Sequence, residues 1–133
     1  MLDYPAKILL AFGETFNETD GAFLKWLLDN GYPELAALSS AIRGSVEAQN
    51  WLLKKGYPHL AALDGAIDKQ AGAYAWLQKY GYDFLLVFAD AVNEKPAAKQ
   101  WFIDNHLEIF LLLANKIRDY RDNQTYDYHK LHF

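Results

Sequence analysis

The stretch WLLKKGYP, residues 51–58, decides how this chain folds. Ala48, Trp51 and Leu52 place apolar side chains at i, i+3 and i+4, the stripe of an amphipathic helix. Lys54 and Lys55 stand at the end of that helix, where its dipole favours positive charge. Gly56 supplies the left-handed residue that closes a helix, and Tyr57 is placed to pack back on the last turn. Pro58 cannot continue the first helix but suits the first position of a second one. The spacing predicts a helix over 45–55 capped by Ser45, a Gly-Tyr-Pro corner, and a helix over 58–67 with Leu60, Leu63 and Ile67 on one face.

This unit recurs. Trp26, Trp51, Trp76 and Trp101 are spaced 25 residues apart and are all the tryptophans in the chain. Gly31, Gly56 and Gly81 share the sixth position of the unit, followed by Tyr32, Tyr57 and Tyr82. Leu35, Leu60, Leu85 and Phe110 share a further register, as do Leu38, Leu63, Phe88 and Leu113. Such coincidences at one period, without insertions, are the mark of a repeat architecture. Neither helix of a unit is long enough to be stable alone in water. Stability must come from stacking one unit on the next. The expected fold is all-α: an α-solenoid, or α–α superhelix, of four 25-residue helical hairpins. Within it, the four tryptophans at equal phase are expected to form a buried ladder.

The 133 residues fit one domain. Residues 1–17 read as an N-terminal capping helix, with Pro5, Leu9, Leu10 and Phe12. Residues 18–117 hold the repeats, with Thr19 or Asp20 capping the first. Residues 118–133 read as a C-terminal extension. The fourth unit departs most: His106 and Leu107 replace Gly-Tyr, so its corner lacks a glycine, and HLEIFLLLANKI (106–117) is apolar nearly all round. Such a helix is covered on every side or meets another molecule. The extension is expected to fold back over it through Tyr120, Tyr126, Tyr128 and Phe133. A homodimer through the C-terminal repeat is the alternative cover.

Composition narrows the function classes. The net charge is −4, with 13 basic and 17 acidic residues intermixed and no basic block longer than Lys54-Lys55. Neither nucleic acid nor an anionic membrane is therefore an expected partner. There is no cysteine, which removes disulfides and thiolate metal sites and fits a reducing compartment. The N-terminus lacks the charge pattern of a signal peptide, and no apolar run is long enough to span a membrane. A cytoplasmic location is expected.

Motifs for chemistry are scarce. No nucleophile elbow, phosphate loop or HExxH occurs. Asp127, His129 and His132 lie close in sequence but lack the further ligands of a metal set. Asp64 and Asp90 are candidates for an acid pair along one ridge, a position where carboxylates are ordinarily just solvated. The reading is therefore no enzyme, no catalytic or metal-binding residue and no cofactor. The candidate contact surface lies at the corners: Tyr32, Tyr57 and Tyr82, amphipathic rings that can reach solvent, with the variable ninth position, which reads Glu34, His59, Phe84 and Ile109.

The string LAALDGAIDKQAGAYAWLQKYG (60–81) resembles the helical part of an ankyrin repeat. Ankyrin units are longer, about 33 residues, and carry a β-hairpin that here shrinks to Gly-Tyr-Pro. Over its whole length the chain also resembles a small bacterial family of helical-repeat proteins with no assigned activity. The resemblance implies a scaffold that binds an unknown protein partner. The function expected is a non-catalytic protein–protein interaction module, with a peptide or small-molecule binder using the groove of the stacked hairpins as the alternative.

Overall fold

Left-handed residues at fixed intervals turn this chain. Gly31, Gly56 and Gly81 have φ between 76° and 88°, and His106 takes the same place with φ 56°. Behind each, one backbone hydrogen bond closes the corner: Tyr32 to Leu27, Tyr57 to Leu52, Tyr82 to Leu77 and Leu107 to Phe102, at 2.8–2.9 Å. The fourth corner therefore keeps the form of the other three. A non-glycine residue simply bears the strain of the left-handed region, about 1 kcal/mol. His106→Gly is expected to raise the unfolding free energy by roughly that amount, read as a higher denaturant midpoint at unchanged slope. A second left-handed position recurs at Gly44, Lys69 and Glu94, where only the first unit shows a glycine.

The computed structural model describes the backbone of residues 1–131 and the side chains of residues 1–124. It contains nine helices and no strand among the described residues. They are α1 (Ala6–Glu14), α2 (Ala22–Asp29), α3 (Pro33–Ile42), α4 (Val46–Lys54), α5 (Pro58–Ile67), α6 (Ala71–Lys79), α7 (Asp83–Val92), α8 (Pro96–Asp104) and α9 (Glu108–Leu131). None is long and apolar enough to cross a membrane. Local chemistry sets the boundaries. Ser45 Oγ accepts the Ala48 amide at 3.1 Å, and prolines open α3, α5 and α8. At α2 neither Thr19 nor Asp20 is the main cap. Glu18 reaches back to accept the amides of Phe23 and Leu24 at 2.8–3.0 Å.

Burial sorts the helices into two sets. The helices α3, α5 and α7 bury six or seven residues each, whereas α2, α4 and α6 bury one each: Leu27, Leu52 and Leu77. The core is three layers at 25-residue intervals. Leu38, Leu63, Phe88 and Leu113 are fully buried in the middle layer, with Leu35, Leu60, Leu85 and Phe110 on one side and Ile42, Ile67, Val92 and Ile117 on the other. Leu9 and Phe12 of α1, and Phe16 just after it, bury with the same spacing.

The inner helices pack in succession, α1 on α3, α3 on α5, α5 on α7 and α7 on α9, and then α9 packs on α1. An open stack does not make that last contact. Lys116 of α9 pairs with Glu14 of α1 at 2.9 Å, and the Tyr120 ring meets Phe16 edge-on at 6.0 Å. Each outer helix, α2, α4, α6 or α8, packs on two inner neighbours; the junction of α9 with α1 has no such helix among the described residues.

Two expectations need correction. The tail does not fold back on the last helix. It continues α9 through Leu131, and Leu112 on the outer face stays 43% exposed, whereas Ala37, Ala62 and Val87 at equivalent places are half-buried. The helix continues because its own side chains find partners along the way: Arg118 with Glu94, Tyr120 with Phe16, and Arg121 with Asp68. The side chains of Tyr126, Tyr128 and Phe133 lie outside the described residues. The tryptophan ladder is not the core either. Trp26, Trp51 and Trp76 are half-buried and Trp101 is 39% exposed, while the next residue in each unit, Leu27, Leu52, Leu77 or Phe102, is fully buried.

Candidate functional site

The corners place aromatic side chains side by side across units. Trp51 stacks on Tyr57, with ring centroids 6.0 Å apart and planes 7° from parallel. Tyr57 meets His59 at 6.3 Å, and His59 stacks on Tyr82 of the next unit at 5.4 Å and 9°. Tyr82 in turn stacks on Trp76 at 5.7 Å and 9°, and Trp76 meets Tyr80 at 4.7 Å. The local cause is the shared corner. The left-handed residue points the tyrosine back on the tryptophan of its own unit, and the first turn of the inner helix carries His59 between two tyrosines.

Burial lowers the pKa of His59, and the nearby α-amino group of Met1 lowers it further. The imidazole is therefore neutral at neutral pH and stacks as an uncharged ring. Most of these rings are half-buried, and Tyr80 is 56% exposed.

Of the predicted contact residues the structure brings Tyr57, His59 and Tyr82 together. The others have different neighbours. Tyr32 meets Tyr4 edge-on at 5.9 Å. The Tyr4 hydroxyl donates to the buried Glu34 carboxylate at 2.9 Å, and burial together with that carboxylate raises the phenol's pKa. Phe84 turns inward against Phe102 and Phe110. Ile109 is half-buried against the core.

Two further sites were not visible as such in the sequence. An apolar groove of about 560 Å³ lies over α1 and α2, lined by Leu10, Ala11, Phe23 and Trp26 between Lys7 and Glu14. At the opposite end of the inner helices from the corners, a cavity of about 250 Å³ is bounded by Ser45, Gln49, Asp64, Asp68, Gln70 and Arg121. No family model, curated protein or solved structure matches the chain.

In that cavity Asp64 accepts from Gln49 Nε2 at 3.1 Å. Burial, and next the charge of Asp68, push its carboxyl up to about 6, although Arg121 pulls the other way. Asp90 is not its partner: it accepts from the Tyr74 hydroxyl at 3.0 Å and pairs with Lys95 at 3.2 Å. The expected acid pair is not formed. Because the folded pKa lies above the ordinary 3.8, Asp64 contributes stability below about pH 4, and this is lost as the pH rises through about 6. Asp64→Asn is therefore expected to raise the melting temperature at pH 8 and to leave it nearly unchanged at about pH 4. Equal shifts at both pH values would show that the carboxyl titrates normally.

No group of three or more His, Cys, Asp or Glu side chains converges as a metal set among the described residues. The side chains of Asp127, His129 and His132 lie outside them.

Proposed function

We propose that this chain is a non-catalytic protein-interaction module, a small helical-repeat scaffold whose recognition edge is the row of corners. The observation that carries this reading is the run of stacked, part-exposed rings from Trp51 through Tyr57, His59 and Tyr82 to Trp76. Rings held by one another lose little conformational freedom when a partner binds, and tyrosine and tryptophan are the residues that dominate protein contacts. The ankyrin-like string supports a scaffold at the level of fold analogy alone.

The test is capture from a native-cell lysate with the wild type and a Tyr57→Ala/Tyr80→Ala variant in parallel, with circular dichroism checking that the variant stays helical. The expected result is a protein recovered by the wild type and reduced about tenfold or more with the variant. Equal recovery of every protein by both would remove the edge as the recognition surface.

A second reading, a peptide or small-molecule binder, rests on the groove over α1 and α2. Its lining is apolar with two charged ends, the composition of a ligand site. The exposed Leu112 on α9 supports a related reading, the homodimer through the C-terminal repeat. Sedimentation of the wild type and Leu112→Glu tests it: a dimer that the substitution dissolves is the result expected of that interface.

A further inference from the structure

We propose that the corner edge of the second and third units takes an acidic peptide segment. Its carboxylates would meet Lys54, Lys55 and Lys79, and an apolar or aromatic side chain would lie against the ring stack between Trp51 and Trp76. This rests on the corner edge being the recognition surface and adds the chemistry of what it recognises.

Charge lies here beside flat apolar surface. The protein as a whole is acidic, with a net charge of −4, yet this part of the edge is basic. Lys54 and Lys55 follow Trp51 by three and four residues, which sets them on the tryptophan's side of α4. Lys79 Nζ lies 5.4 Å over the ring of Tyr80, which itself packs on Trp76. All three lysines are exposed, and none forms an ion pair among the described residues. The flanking units differ. In the first unit the same positions carry Asp29, paired with Lys25 at 2.8 Å, and Asn30. In the fourth they carry Asp104 and Asn105, with Glu108 opening the next helix. Asp83, beside Tyr82, is the one acid at the corner of the two central units.

At these two positions the edge is thus positive in the second and third units and neutral or negative in the first and fourth. Unpaired lysines beside the rings favour a negatively charged partner and disfavour a basic one. Three lysines in an acidic protein suit a short peptide better than a polyanion, whose binding needs many phosphate contacts.

The test is titration of the ¹⁵N-labelled full chain, observed at its four indole N–H signals. Four probes are used: a peptide of about ten residues with several Glu around one Trp or Phe, its Gln and Lys counterparts, and an oligothymidylate. The expected result is that the acidic peptide shifts the Trp51 and Trp76 signals saturably and leaves Trp26 unmoved. The Gln counterpart should bind at least about tenfold more weakly, and the difference should vanish near 1 M salt, where the Debye length is about 3 Å. In Lys54→Glu/Lys55→Glu/Lys79→Glu, whose positions are all exposed, the acidic peptide should lose its advantage. Equal binding of the Glu, Gln and Lys peptides at these indoles would overturn the charge proposal and leave the recognition edge standing. Shifts by the oligothymidylate alone would overturn it in favour of nucleic acid. No shift of Trp51 or Trp76 by any probe would overturn this proposal; lysate capture that separates wild type from Tyr57→Ala/Tyr80→Ala would still support the edge itself.

Discussion

Phe102→Ala is expected to lower the free energy of unfolding by about 3–5 kcal/mol, whereas Trp101→Ala, one residue earlier, costs about 1 kcal/mol. The two side chains point to different surroundings from the same helix. Phe102 is fully buried and packs on Phe84 at 5.7 Å, Phe110 at 6.0 Å and Phe88 at 6.5 Å. Removing it leaves a cavity that fixed aromatic neighbours cannot fill. Trp101 is 39% exposed and lies over the edges of Phe84 and Phe102, so its truncation loses part of one face to water and opens no void. Urea unfolding of both variants reads the difference directly. Equal losses would mean that the tryptophan row carries the core after all. The same logic makes Leu52, not Trp51, the costly position in the second unit.

Gly13→Val is expected to cost about 1–3 kcal/mol, a large effect for a helix glycine. On helix propensity alone, replacing glycine is favourable or neutral. Here a Cβ would lie 2.8 Å from Leu113 Cδ2 and 3.0 Å from Lys116 Cδ. Leu113 is fully buried in the middle layer of the core, so its side chain has little room to yield. The substitution therefore pushes α1 off α9, at the place where the last inner helix meets the first. Gly72→Ala on α6 is the control, since a Cβ there meets nothing within 4 Å. That variant is expected to gain about 0.5–1 kcal/mol. If both substitutions are harmless, the meeting of α1 and α9 contributes little to stability.

Much of the helical layout was legible in residues 45–67. Ser45, Gly56 and Pro58 act on their immediate neighbours, so their effect is the same wherever the unit lies. The candidate surface was legible only in part. Tyr57 and Tyr82 were singled out as amphipathic corner rings and His59 as a variable ninth residue, but the sequence does not show that His59 stacks between units or that Phe84 turns inward. Both residues occupy the ninth position. His59 finds a tyrosine ring beside it, whereas Phe84 meets Phe110, which stands where the other units carry leucine. Glu18 as a cap was missed because it lies three residues before the helix-opening Gly21 and acts from outside the usual position.

The sequence by itself determined that this chain is helical, that it is punctuated every 25 residues, and where the helices of the second unit start and stop. Those properties rest on short-range forces: a left-handed residue, a proline without an amide hydrogen, and an apolar stripe. Tertiary structure alone decided which side of each outer helix is buried, and so whether Trp or its neighbour forms the core. It also decided that α9 runs on without a corner and that it returns to α1. These follow from packing between side chains far apart in sequence, such as Lys116 with Glu14 and Tyr120 with Phe16, which no local pattern specifies.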